Sequence, residues 1–214
     1  MIVSYKFDEL VPAIQAVMPH CAGKNDVSEI ATGIHIAADG TLLATDRFTV
    51  GRYKPAEFDV DGPAGEPLPE FEGFTLSPAA VLWLSKLKPV ERHGQYRVHF
   101  QDDVDGPNVR ILMVDSDGNA VQQGVFPLLI GNYPPVARLF PESLDAFTGV
   151  PTLNLKLAFL IRIDKAVKAL NPRENNGCAR FHFRANADTH KPGPVYVTVG
   201  DRFDALVQPN LLLR

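Results

Sequence analysis

Three times along the chain a run of alternating apolar and polar residues gives way to apolar residues spaced by three and four, then returns to alternation. Alternation marks a half-buried strand, and spacing of three and four marks a helix with one buried face. The first instance opens with a strand at "MIVSYKF" and continues into a helix carrying Leu10, Ile14, Val17 and Met18 on one side. Asp8 is placed to cap that helix, Pro12 falls in its opening turns, and Pro19 closes it. "TGIHIAA", "GTLLATDR" and "FTVGRY" read as strands. "ADG" turns the first into the second, and Asp46-Arg47 forms the bend before the third.

A connector rich in Pro, Gly and Glu, "DGPAGEPLPEFEG", precedes the second instance. There "FTLS" is a strand, and Ser77 caps a helix with Pro78 at its first position. The helix "AAVLWLSKLK" runs to Pro89, and strands follow at "YRVHFQ", "NVRILMVDS" and "NAVQQGVFPLLI", with "SDGN" as a turn. The third instance has a strand at "TLNLKL". Its helix, "AFLIRIDKAVKAL", presents Leu160, Ile163, Val167 and Leu170 on one face, and "CARFHFRA", "VYVTVG" and "DALVQPNLLL" are its strands. "VGDRFDAL" echoes the Asp-Arg-Phe of the first instance. The pattern predicts an α+β fold of three strand-helix-strands units with mainly antiparallel sheets. Residues 1–140 form one complete domain of two units (1–70 and 71–140), and residues 141–214 form a third unit, half of a second domain.

Composition narrows the class. Of 214 residues, 45% are hydrophobic and 21% charged, as in a soluble globular protein. No apolar run reaches the ~20 residues of a membrane span, and "MIVSYKFDEL" lacks the features of a secretory signal. Two cysteines, Cys21 and Cys178, each among polar neighbours, read as free thiols in a reducing compartment, hence a cytoplasmic location. Charge is uneven: −6 over residues 1–70, −3 over 71–150 and +5 over 151–214. In the third helix Arg162, Lys165 and Lys168 recur every three residues, and Lys86 and Lys88 end the second. Such stripes suit duplex phosphates and equally suit plain solubility. The first helix has no Lys or Arg.

Enzyme templates fit poorly. Glycine-rich phosphate loops, the zinc-protease His-Glu-x-x-His and the Gly-x-Ser-x-Gly elbow are all missing. The six histidines are scattered, and "QDDVDGPN" lacks the closing Glu of a calcium loop. The expectation is a non-enzymatic protein with no metal and no cofactor; a hydrolase on an unrecognised α+β fold is the remaining catalytic alternative.

Three phrases resemble the bacterial β sliding clamp of the replisome. "LLATDRFTV" is similar to the clamp phrase Ala-Thr-Asp-Gly-His-Arg-Leu. "IGNYPPVARLFP" is similar to the clamp segment around Gly-x-Phe/Tyr-Pro-Asp-Tyr, and "ALVQPNLLLR" to the clamp ending Val-Met-Pro-Met-Arg-Leu. The resemblance implies a surface groove for linear peptides of polymerases or clamp loaders. Its lining would be Thr45, Phe48, Val50, Pro134, Arg138, Leu139, Pro209, Asn210 and Leu211. It also implies duplex DNA bound without sequence readout by Lys86, Lys88, Arg162, Lys165 and Lys168. Three units where a clamp chain has six imply a shortened, divergent, phage-like member that self-associates as a dimer or tetramer. Arg47, Phe48 and Thr49 depart from the clamp phrase, and Gln208 and Asn210 replace both methionines of the ending. The alternative is a decoy that binds replication proteins without encircling DNA.

Overall fold

The structure, a computed structural model, describes residues 1–61, 71–91, 94–103, 106–142, 155–170, 178–183 and 193–209. The strands are β1 (Ile2–Lys6), β2 (Ile34–Ala37), β3 (Leu42–Thr45), β4 (Thr49–Tyr53), β5 (Asp59–Asp61), β6 (Gly73–Leu76), β7 (Arg97–Asp102), β8 (Asn108–Val114), β9 (Ala120–Leu129), β10 (Arg180–His182), β11 (Val195–Val199) and β12 (Phe203–Val207). The helices are α1 (Phe7–Val17), α2 (Pro78–Leu84) and α3 (Leu157–Ala169).

All strands join one sheet in the order β10-β11-β12-β4-β3-β2-β6-β9-β8-β7-β1-β5, and every pairing is antiparallel. Two crossings shape it. β1 leaves its sequence neighbours and pairs with β7, in register Val3 to Phe100, while β6 pairs with β2, in register Leu76 to Ile34. Each lead strand is thus inserted beside the strands of the other segment. β12 lies along β4, Leu206 opposite Val50, and so welds the C-terminal strands to the first segment.

The helices pack on this sheet, with α1 touching both α2 and α3. Leu10, Ile14, Ile34, Leu42, Leu76, Leu84, Ile111 and Phe203 are wholly enclosed between them. Burying side chains of this size contributes roughly 1.5–3 kcal/mol each. Tyr5, Phe58, Phe71, Phe74 and Phe100 form a chain of ring contacts through the first two segments.

The structure corrects several local expectations. Lys6, not Asp8, is the N-cap of α1, and Asp8 lies in its first turn. α2 stops at Leu84, because the Ser85 hydroxyl bonds back to the Leu82 carbonyl (2.8 Å) and the chain turns to bury Leu87. Lys86 and Lys88 therefore stand beyond the helix. On α3 the buried residues are Phe159, Ile163 and Ala166, while Leu160, Val167 and Leu170 are only partly covered. Of the strand expected at "TLNLKL", residues 152–154 fall outside the described residues, while Leu155 and Lys156 are not in a strand and Leu157 already opens α3.

Candidate partner-binding groove and basic face

The β4–β12 seam continues past the strands, where the Gln208 N–H donates to the Phe48 carbonyl at 3.1 Å. Alongside it runs a 3-10 turn, Val136–Leu139, which begins just after Pro134-Pro135. Leu43, Val50, Val136, Phe140, Tyr196 and Leu206 pack into a small apolar cluster separate from the main core, flanked by Ala37 and Tyr133. The three similar phrases thus meet, since Val50, Val136 with Phe140, and Leu206 come one from each. Arg52 stiffens the cluster from below, its guanidinium 3.9 Å from the Phe140 ring centre and ion-paired with Asp204.

The expected groove residues divide into floor and surface. Val50 and Pro209 are buried, and Pro134 is half-buried. Thr45 is buried and structural: its hydroxyl donates to the Thr49 carbonyl (2.9 Å) and accepts the Arg47 N–H (3.1 Å). Phe48, Arg138 and Leu139 are exposed. Phe48 is 56% exposed, and its ring stacks at 6.5 Å on Phe159 of α3. Asn210 and Leu211 lie outside the described residues. A cavity of about 1080 Å³ lies beside α1, lined by Lys6, Glu9, Tyr53, Arg180 and Arg202 among others.

Asp46 and Arg47 form the expected bend, and Asp46 does more than turn the chain. One carboxylate oxygen accepts the Phe48 N–H (3.1 Å), the Thr49 N–H (2.7 Å) and the Thr49 hydroxyl (3.0 Å). The other is ion-paired with Arg162 of α3, whose Nη1 also donates to the Thr49 hydroxyl at 2.9 Å. Burial disfavours the charge on Asp46, but Arg162 and the Thr49 donors outweigh it and hold the carboxyl below the ordinary carboxylate value. This lattice of donors lets Arg47 keep a left-handed φ of 71°, which an isolated residue with a Cβ resists. His20 lies against the same corner, fully buried. Gly51 makes room for it, since a Cβ there would fall 2.6 Å from the imidazole Cδ2. Burial first, and Arg162 second, push His20 down to about 3, with Asp46 opposing. Among the described residues neither ring nitrogen has a hydrogen-bond partner.

The basic residues are not equivalent. Lys86, Lys88, Lys165 and Lys168 are exposed, with Lys168 paired to Asp164 at 2.7 Å. Arg162 is turned into the protein toward Asp46. α1 itself carries Asp8 and Glu9 in its first turn and no Lys or Arg. Among the described residues there is no cluster of His, Cys, Asp or Glu able to hold a metal, and no helix is long and apolar enough to cross a membrane.

No protein-family model and no curated protein matches the sequence. Solved structures do. The DNA polymerase sliding clamp of Bacillus subtilis superimposes with a TM-score of 0.63 over 99% of this chain and 64% of its own, at 14% identity. DNA polymerase III subunit beta of Borrelia burgdorferi gives 0.64 over 99% and 64%, at 10% identity. The Helicobacter pylori beta clamp bound to a DNA ligase peptide gives 0.65 over 98% and 66%, at 14% identity. The fold is that of the bacterial β sliding clamp. The chain spans just under two thirds of the length of these clamps.

Within this clamp fold, sequence reasoning missed the residues beneath the surface. Val136 and Phe140 sit inside a phrase recognised for its prolines, and only contact with β4 shows that they point inward. Leu206 carries a usable signal, because alternation along β12 sets it on the face opposite Ala205 and Val207. Tyr196 and the Arg162–Asp46 pair carry none, since they depend on which strands and helices become neighbours.

Proposed function

We propose that this protein is a non-catalytic, clamp-like platform of DNA replication or repair that captures short linear peptides of polymerases, clamp loaders or ligases at the β4–β12 seam. The observation that carries this reading is the meeting of three distant stretches, Phe48–Val50, Val136–Phe140 and Leu206–Pro209, at one apolar cluster on a clamp fold. The buried members supply a rigid floor, and exposed Phe48, Leu139 and Arg138 supply contact groups for bulky side chains and one acidic or amide group. The helix side would meet duplex phosphates through Lys86, Lys88, Lys165 and Lys168. The protein would work in the cytoplasm as a dimer or tetramer. Residues 1–140 would form one domain of two paired units, with 141–214 a third.

The test is fluorescence anisotropy with the ligase-type clamp peptide as probe. Phe48→Ala with Leu139→Ala should weaken binding by on the order of 10-fold or more at unchanged melting temperature. Equal affinity in wild type and variant, or no binding by wild type, would overturn the groove.

A second reading, a decoy that binds replication proteins without holding DNA, is favoured by the acidic first turn of α1 and by the lack of any Lys or Arg along that helix. Salt-sensitive binding to circular duplex that is lost on linearisation excludes it.

A further inference from the structure

The tripeptide Asp-Arg-Phe precedes or opens two paired strands, and its phenylalanine ends in opposite places. At the start of β12 Phe203 is wholly buried, its ring 5.8 Å from that of His20. Just ahead of β4 Phe48 stands largely exposed. The backbone of the two bends differs. Before β12 the left-handed residue is Gly200, φ 60°, which adopts that conformation freely, and Arg202 reaches away to Glu9 at 2.9 Å. Before β4 the left-handed residue is Arg47, φ 71°, directly ahead of the phenylalanine. A residue with a Cβ resists this conformation, so the bend that turns Phe48 outward has to be held.

One carboxylate holds it. Asp46 gathers the Phe48 N–H, the Thr49 N–H and the Thr49 hydroxyl on a single oxygen, and its side chain is nearly enclosed. A buried carboxylate keeps its charge only beside a partner. Arg162 of α3 is that partner, and among the described residues Asp46 has no other ion pair. The same guanidinium donates to the Thr49 hydroxyl at 2.9 Å. α3 supports the bend a second time. Phe159, three residues before Arg162, is buried under Phe48, with ring centres 6.5 Å and planes 20° apart. The Arg162 guanidinium carbon lies 5.6 Å from the Phe159 ring centre. Arg162 therefore touches both supports of Phe48, the carboxylate that shapes its backbone and the ring on which it rests.

We infer that Arg162 is a positioning residue of the peptide groove: from the helix layer it fixes the Asp46–Thr49 bend and so presents Phe48 to an incoming peptide, acting through Asp46 and Phe159. The inference rests on the proposed groove at the β4–β12 seam. A contact ring set in place beforehand spares the cost of ordering it on binding, so freeing it weakens affinity although no contact group is removed. Its neighbours on α3, Lys165 and Lys168, are exposed and carry no such role.

The test is fluorescence anisotropy with the ligase-type clamp peptide, at a temperature where every variant is folded. Arg162→Gln should weaken binding by on the order of 10-fold, Arg162→Lys should recover most of the loss, and Lys165→Gln should match wild type. Asp46→Asn with Arg162→Gln separates positioning from stability: without a stranded charge its melting temperature should recover while its binding stays weak. Amide exchange supplies a readout free of peptide, since protection of the Phe48 and Thr49 N–H groups should fall in Arg162→Gln. If wild type binds and Arg162→Gln binds equally, or if the double variant binds as wild type does, the inference is overturned and the groove stands. Unchanged protection at Phe48 and Thr49 overturns it too. A wild type that binds no peptide removes the groove and the inference together. Should Arg162→Gln fail to fold, Thr49→Val replaces it. That change deletes one donor to Asp46 and one acceptor of Arg162, and wild-type affinity there would sink the inference.

Discussion

His20 is enclosed beside Arg162, Asp46 and Cys21, and the histidine with the nearby arginine cannot both carry charge at low cost. Native His20 stays neutral down to about pH 3, whereas the unfolded chain takes up this proton near 6.5. The unfolded state therefore binds more protons between these values, and stability falls with acidification by up to ~1.4 kcal/mol per pH unit in that window. The depressed Asp46 carboxyl adds to the loss only below its ordinary value of 3.8. Urea midpoints measured between pH 6.5 and 4.5, bounds set by these two groups, should show a steep slope for wild type and a flatter one for His20→Leu. The same slope in both proteins would show that His20 is not the acid-sensitive group. None of this was legible at residue scale. The spacing around "VMPHCAG" marks a helix end and says nothing of the Gly51 niche, which exists only once β4 lies against that turn. Asp46-Arg47 was legible as a bend, because the Asx geometry is local. Its tie to α3 spans 116 residues and was not.

Elements were more legible than their ends. Periodicity located all three helices, yet it misplaced the buried face of α3, where Phe159 and Ala166 are enclosed because α1 packs on that side. An isolated amphipathic pattern leaves such a choice between adjacent faces open. Ser77 illustrates the same limit. Ser-Pro is a sound start signal, and α2 does begin at Pro78, but the Ser77 hydroxyl makes no cap bond and is buried without a partner among the described residues. A working cap loses ~1 kcal/mol on mutation to alanine. Removing an unsatisfied buried hydroxyl should instead leave stability unchanged or raise it by up to ~1 kcal/mol. Thermal melts of Ser77→Ala distinguish the two, and a clear drop in melting temperature would restore the capping role.

At the scale of the molecule, net charge misleads and placement decides. The chain carries −4 overall, so duplex binding would have to come from local basic groups acting against the field of the rest. The repeat and the charge asymmetry were visible in the sequence, whereas the division of labour within "RIDKAVK" was not. Arg162 turns inward to Asp46, and Lys165 and Lys168 remain outside. Two variants separate these roles. Lys165→Gln with Lys168→Gln should remove about two phosphate contacts, so the slope of log affinity against log salt falls by ~1.8 while the melting temperature holds. Arg162→Gln should leave that slope alone and cost ~1–3 kcal/mol of stability, because it strands the Asp46 carboxylate at a nearly dry corner that joins α3 to β4. Titration of a short duplex at several salt concentrations, beside urea unfolding of the same proteins, reads both quantities. If Arg162→Gln lowers the salt slope while leaving unfolding unchanged, the guanidinium faces DNA in solution and its link to Asp46 is dispensable. If the lysine pair changes neither quantity, the helix side is no nucleic-acid surface, and the protein acts through its peptide groove alone.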